Sequence, residues 1–248
     1  MPFDMQPAAR TSPEAPTCHL RCAVCPAANA CVIQGAVRAE VERWNAAVEA
    51  TVSLATAGKT LVEAGAPANA IFTVRAGCLK SFTVDADGTE RVRGFYLPGD
   101  VVGLDALGAD AFPATIVAVT PSQVCRISAA QVRRLMAESP FLARRILDRT
   151  SAELAQALTM AGDYTAEQRI AAFLLSMRQR LGNAAELKLP MTRRDIANYL
   201  RLATETVCRV MGRLESHGQI RSDSKTVKLV DARALRQIAF PAVAAACA

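Results

Sequence analysis

Histidine is almost missing from this chain: His19 and His217 are the only two among 248 residues. With so few, no catalytic constellation stands out, and the sequence does not read as an enzyme. Aromatic residues make up only 5%, beside 51% hydrophobic and 21% charged residues, which is an ordinary balance for a soluble globular protein. Long apolar runs are lacking too. The alanine-rich tail from Ala239 to Ala248 falls well short of the roughly 20 residues a membrane helix requires, so no membrane span is expected. The opening stretch MPFDMQPAARTSPEAPT has no basic start followed by an apolar segment, and so does not read as a secretory signal; it looks disordered. These absences point to the cytoplasm, where thiols persist and structural disulfides are rare. The length suits two modest domains, each with its own core.

Cysteine, by contrast, is concentrated. Four of the eight cysteines fall in CHLRCAVCPAANAC, residues 18 to 31, as Cys18, Cys22, Cys25 and Cys31. A fifth, Cys125, lies in the β-prone run QVCRIS. The spacing is compatible with a four-cysteine zinc site or with a thiol-disulfide switch among Cys18, Cys22 and Cys25. Cys78, Cys208 and Cys247 read as packing or surface thiols.

Charge is uneven as well. From Thr165 to Arg236 there are fourteen Lys and Arg against seven Asp and Glu, an excess of seven, whereas the whole chain carries only +6. A basic excess confined to the C-terminal third points to a polyanion, most simply nucleic acid; a solvated cationic face is the plainer alternative.

The hydrophobic pattern divides the chain. Gly35 to Ala55 spaces Val37, Val41 and Trp44 as one face of a short amphipathic helix. From about Thr60 to Ser128, short β-prone runs (IFTVRAG, LKSFTVDADG, RVRGFYLPGD, TIVAVT, QVCRIS) are punctuated by Gly65, Gly77, Gly88, Gly99 and Pro121, as in a small antiparallel jelly roll. Helical spacing returns from Ala129 to Gly162. There, a stripe that includes Ile146, Leu147, Thr150, Leu154, Leu158 and Ala161 is suited to pack against its own copy in a homodimer, or to serve as an ordinary core face.

In MTRRDIANYLRLATETVCRVMGRLESHGQI, Thr192 and Asp195 form a helix start, and Ile196, Tyr199 and Leu200 give the helix an apolar face. After a break at Arg201 to Ala203, a second helix buries Val207, Val210, Met211 and Leu214. Two short helices at a tight turn predict a helix-turn-helix whose second helix enters a DNA major groove. Thr204, Glu205, Cys208, Arg209 and Arg213 then face outward. Glu205 and Arg209, one turn apart, are suited to a G·C step; the alternative is a surface ion pair. The following QIRSDSKTVKLV reads as a wing with Arg221, Lys225 and Lys228 facing phosphates.

This layout resembles the superfamily of the cyclic AMP receptor protein and the fumarate and nitrate reduction regulator. The resemblance rests on AGCLKSF, GFYLPGDVVGLDALG, TAEQRIAAFLL, and MTRRDIANYL followed by ETVCRVMGRL, together with the C-x3-C-x2-C-x5-C spacing. All of these are most like the oxygen-responsive branch. The resemblance implies an α+β chain: a cysteine-rich segment (1–33), a cyclic-nucleotide-binding-like jelly roll (34–138), a dimerisation helix (139–162) and a winged helix-turn-helix (163–248). It implies a 4Fe-4S cluster on Cys22, Cys25, Cys31 and Cys125, with Cys18 to spare. The implied function is an oxygen-responsive transcription activator that binds a TTGAT-type inverted repeat in double-stranded DNA as a homodimer and contacts RNA polymerase; the loop Asp85 to Gly88 is a candidate surface for that contact. The DNA contacts fall on Glu205, Cys208, Arg209, Arg213 and Thr192.

Cyclic nucleotide is not expected. The corresponding stretch, residues 99 to 120, has Asp100, Asp105 and Asp110 but no Lys or Arg to meet a cyclic phosphate. Several residues depart from the branch. Cys208 stands where a serine is usual, and Arg201 and Ala203 replace a turn glycine and a capping threonine, at a local cost of about 1 kcal/mol. A regulator with a zinc or thiol-disulfide switch in place of the cluster is the alternative.

Overall fold

The computed structural model describes residues 22–223 and 226–241. Cys18, His19, Lys225, Cys247 and the first seventeen residues lie outside the described residues, as does the side chain of Ala161. A coil of turns from Cys22 leads to helix α1 (Arg38–Ala47). Eight strands follow: β1 (Ala50–Leu54), β2 (Thr60–Val62), β3 (Ala70–Ala76), β4 (Leu79–Val84), β5 (Glu90–Tyr96), β6 (Val101–Val102), β7 (Thr115–Ala118) and β8 (Ser122–Ser128). They form two antiparallel sheets, ordered β1-β8-β3-β6 and β2-β7-β4-β5, the expected jelly roll.

The first sheet has two different apolar faces. Leu54, Phe72, Val74, Val102 and Val124 point inward and fill the sandwich with Leu79, Phe112 and Ile116. Ile71, Val101 and Ile127 point outward, where Cys22, Cys31, Val32, Ile33, Trp44, Leu135, Leu142 and Ile146 cover them. The N-terminal segment is therefore packed onto the sandwich as a roof.

The helical reading of Gly35 to Ala55 overran. The helix ends at Ala47, Val37 is its exposed N-cap, and Ala50–Leu54 pairs with β8. The reason is local: β-branched Thr51 and Val52 fit a pleated surface, and the open edge of β8 offers them a ladder.

Helix α2 (Ala129–Glu138) is separated from the 22-residue α3 (Pro140–Ala161) at Ser139. The Ser139 hydroxyl accepts from Leu142 N at 3.1 Å and Pro140 occupies the first turn, so the chain restarts there. Helix α4 (Ala166–Arg180) begins with a reciprocal cap between Thr165 and Gln168.

Beyond β9 (Glu186–Lys188) lie α5 (Arg193–Leu200) and α6 (Thr204–Ser216), followed by β10 (Ile220–Asp223), β11 (Thr226–Leu229) and α7 (Ala232–Ala239). Ile196, Tyr199, Leu200, Val207, Val210, Met211 and Leu214 are buried in one core with Phe173 and Leu174. Strands β10 and β11 pair antiparallel, and β9 adds a third strand that the sequence pattern did not reveal.

The turn between α5 and α6 has the two weaknesses its residues imply. Arg201 is left-handed at φ 56°, and Ala203 makes no side-chain cap. Arg201→Gly relieves the Cβ penalty of that conformation, and Ala203→Thr supplies a hydroxyl to an open helix amide; each change is expected to raise stability by about 1 kcal/mol. Urea unfolding midpoints check this.

Candidate functional site: a thiol-bearing face and an exposed helix

Cys125 lies in β8, between Thr51 of β1 and Thr73 of β3. Alternation along β8 sends it to the same outer face as Ile127, beneath the N-terminal coil. That coil is built of successive turns: Cys25 N donates to Cys22 O at 3.2 Å, Cys31 N to Ala28 O at 3.3 Å, and Gln34 N to Cys31 O at 3.0 Å. Cys22 N is anchored to Asn45 Oδ1 on α1 at 3.0 Å. The coil comes so close to the loop after β5 that a Cβ on Gly99 would stand 2.5 Å from Ala30, and Gly99 itself has φ 94°. Glycine is required at that crossing on both counts.

Cys22 and Cys31 are buried, whereas Cys25 and Cys125 are part-exposed. Burial pushes the Cys22 thiol up to about 12, and the neighbouring Cys125, Cys31 and Cys25 add repulsion. Burial likewise pushes Cys125 up to about 11; Arg75 opposes this, while Cys25 and Cys31 reinforce it. Burial also raises Cys31, against backbone hydrogen bonds from Ile33 and Val32. Among the described residues, no three His, Cys, Asp or Glu side chains are gathered tightly enough to hold a single metal ion. A four-iron cluster takes one thiolate per iron and so spreads its ligands around a larger body. Three thiols on the coil and one on the sheet face that the coil covers supply four soft ligands of the kind such a cluster takes.

Two arginines on α3 hold the coil by its carbonyls. Arg145 Nε donates to Val32 O at 3.2 Å and its Nη2 to Gln34 Oε1 at 3.3 Å. Arg149 donates to Ala30 O and, at 3.4 Å, to Asp100 Oδ1. The other oxygen of Asp100 accepts from Arg180 of α4 at 2.5 Å and from Leu97 N at 2.8 Å. One carboxylate therefore joins the roof, the long helix and the first helix of the C-terminal domain. Sequence reasoning missed Arg75, Arg145, Arg149 and Arg180, and noticed Asp100 only as an acid unsuited to a phosphate.

On α3, Leu147, Leu154 and Leu158 are 63%, 60% and 64% exposed, an unusual apolar row. Thr150 lies on the same exposed side, with its hydroxyl donating to Ile146 O at 3.1 Å. Ile146 corrects the expected stripe: it is buried with Leu142 and Trp44 under the roof and is not available to a second chain. A helix this amphipathic has an apolar arc on two sides, and position 146 falls on the inner one.

On α6, Glu205, Cys208, Arg209 and Arg213 are exposed. No ion pair joins Glu205 to Arg209 among the described residues. Thr192 is engaged as a cap: its hydroxyl accepts from Asp195 N at 3.1 Å, and Asp195 accepts from Thr192 N. Lys80 of β4 pairs with Asp195 at 2.8 Å and with Glu90 at 3.1 Å, bridging sandwich and helix-turn-helix. Burial would raise the Asp195 carboxyl, but hydrogen bonds from Lys80 and Thr192 outweigh it and hold the group below the usual range. The wing is tied on by Arg193 to Ser222 Oγ at 2.8 Å and by Ser222 N to Glu215 at 2.9 Å.

Two family models match this chain, a cyclic nucleotide-binding domain over residues 54–139 and a Crp-like helix-turn-helix domain over 168–238. The transcriptional regulatory protein btr of Bordetella pertussis is 37% identical over 224 residues, covering 88% of this chain and 92% of the relative. This chain belongs to the Crp/Fnr family of transcription regulators. The fumarate and nitrate reduction regulatory protein of Escherichia coli K12 is 30% identical and covers 90% of this chain and 91% of its own. The solved structure of FixK2 from Bradyrhizobium japonicum superposes with a TM-score of 0.69 at 29% identity, covering 76% of this chain and 96% of its own. As a Crp/Fnr member the chain is a DNA-binding transcription regulator, and α6 occupies the recognition-helix position. No helix among the described residues is long and apolar enough to cross a membrane.

Replacing Asp100 by Ala removes the carboxylate partner of Arg149 and Arg180, both less than a third exposed, and leaves each with only a backbone carbonyl to bond among the described residues. Solvent screens part of that loss, so a destabilisation of about 1–3 kcal/mol is expected in urea unfolding. Asp100→Asn, which keeps an acceptor, should lose less.

Proposed function

We propose that this Crp/Fnr regulator is a cytoplasmic homodimer that senses oxygen through a 4Fe-4S cluster on Cys22, Cys25, Cys31 and Cys125. When bound, such a cluster supplies oxygen- and redox-sensitive chemistry. Support comes above all from one observation: Cys22, Cys25 and Cys31 sit on a coil that covers the outer face of the sheet bearing Cys125, and the long helix grips that coil by its carbonyls. Arg145 and Arg149 then convert the position of the coil into the set of α3. The exposed Leu147, Leu154 and Leu158 side of that helix, with Thr150 and Ala161, meets its copy. Asp100 carries the same adjustment to Arg180 and α4. The relative named for fumarate and nitrate reduction is in keeping with an anaerobic role.

On DNA, the dimer reads an inverted repeat of TTGAT-type half-sites about one helical turn apart. Arg209 grips guanine, Glu205 accepts from cytosine, and Cys208 faces the neighbouring pair with a weaker donor than serine. Arg213 and the amino end of α5 at Thr192 lie along the phosphates. RNA polymerase is the protein partner, and the turn at Asp85 to Gly88 is one surface offered to it. Cyclic nucleotide is not the signal in this reading, since residues 99–120 carry Asp100, Asp105 and Asp110 but no Lys or Arg to meet a cyclic phosphate.

Arg209→Ala is expected to weaken specific binding by about 1–3 kcal/mol and to relax choice at its G·C pair. Titrations on operator and scrambled duplexes check it, and equal losses on both would count against base reading.

Anaerobic purification followed by iron and acid-labile sulfide assays tests the sensor. The native chain should be coloured and carry both elements, and Cys125→Ser should lose them. A colourless, zinc-loaded native protein would replace the cluster with a zinc or thiol switch.

A further inference from the structure

Two polar side chains under the roof each carry a buried atom without a hydrogen-bond partner among the described residues. Thr73 is 4% exposed and Arg75 is 8% exposed, and neither Thr73 Oγ1 nor Arg75 Nε has a hydrogen-bond partner among the described residues. Arg75 takes part in none of the described ion pairs. Buried donors, above all a charged one, are seldom left unsatisfied unless something else satisfies them.

Their position indicates what that is. Thr73 is the ladder partner of Cys125, so both side chains share the outer face of the sheet. Arg75 follows at the irregularity between Val74 and Ala76, where β3 carries an extra residue against β8; such a bulge re-aims a side chain.

We propose that Arg75 and Thr73 are the outer donors of the thiolate site: Arg75 Nε–H and the Thr73 hydroxyl hydrogen-bond to its sulfurs, and the guanidinium offsets the ligands' negative charge. This rests on the cluster reading given above. Four thiolates make the loaded site anionic. A fixed buried cation against it favours the more reduced, more negative state and so sets the reduction potential. Arg75 and Thr73 are positioning residues for the cofactor and hold no iron themselves.

Anaerobically loaded full-length native protein, Arg75→Met, Arg75→Lys and Thr73→Val test the assignment by iron and sulfide content, visible spectrum and the cluster's midpoint potential. Arg75→Met should retain iron and sulfide. It should weaken the preference for the reduced state about tenfold, a shift of about 59 mV to more negative potential for one electron. Arg75→Lys should recover part of that shift, and Thr73→Val should move the potential in the same direction by less. A purely structural role for Arg75 would lower cluster content without moving the potential. Fully loaded Arg75→Met with the native potential overturns the proposal while leaving the cluster reading intact. A native chain without iron and sulfide overturns both. If Arg75→Met does not fold, unchanged potentials in both Arg75→Lys and Thr73→Val overturn it instead.

Discussion

The rest of this structure depends on Arg149. Its guanidinium reaches the Ala30 carbonyl on one side and the Asp100 carboxylate on the other, and it does so from the middle of the longest helix. Three segments far apart in sequence are thereby held to one rigid, planar fork. Arginine suits this role because its donors are fixed in one plane and its charge does not depend on pH. A lysine would offer a single point charge and could not hold the two acceptors in the same way.

That arrangement explains why the cysteine-bearing coil is more than a tether. Its apolar residues Val32 and Ile33 belong to the same core as Trp44, Leu142 and Ile146, so it is packed, hydrogen-bonded and seated against Gly99. Packing of that kind is close to all-or-none: small shifts in the coil are resisted until it lets go, and then the outer face of the sheet loses its cover. In the proposed reading, such a roof suits a sensor whose two outputs are the set of a helix and the placement of a DNA-binding domain.

Much of this was legible in the chain before any fold was known. The five β-prone runs became β3, β4, β5, β7 and β8, and the apolar positions of the helix-turn-helix are the buried ones. Those signals were legible because half-buried strands and amphipathic helices leave a period in the sequence. Strand β1 was hidden, because alanines and valines in short runs satisfy helix and strand periods alike. Ile146 was misjudged for a related reason: spacing defines an apolar arc but not which edge of it a neighbour covers.

The charged residues were least legible. The run from Ala143 to Arg149 resembles a solvated cationic face, and Arg75 looks like the outward residue of an ordinary strand. Only the folded arrangement reveals that Arg145 and Arg149 bind backbone carbonyls and that Arg75 is enclosed. Carbonyl acceptors have no sequence signature, since every residue carries one. For the same reason Asp100 drew notice for its sign alone and not for the three donors it collects.

Lys80 stands between two carboxylates, Asp195 on the DNA-binding domain and Glu90 on its own sheet. Should the helix-turn-helix swing aside, the ammonium still has a counterion within its home domain, and Asp195 remains engaged with Thr192 at the start of α5. At this contact, therefore, neither charge is left without a partner when the two sides part, whereas Arg180 joins the same halves a second time through Asp100 with no such reserve on its own side among the described residues.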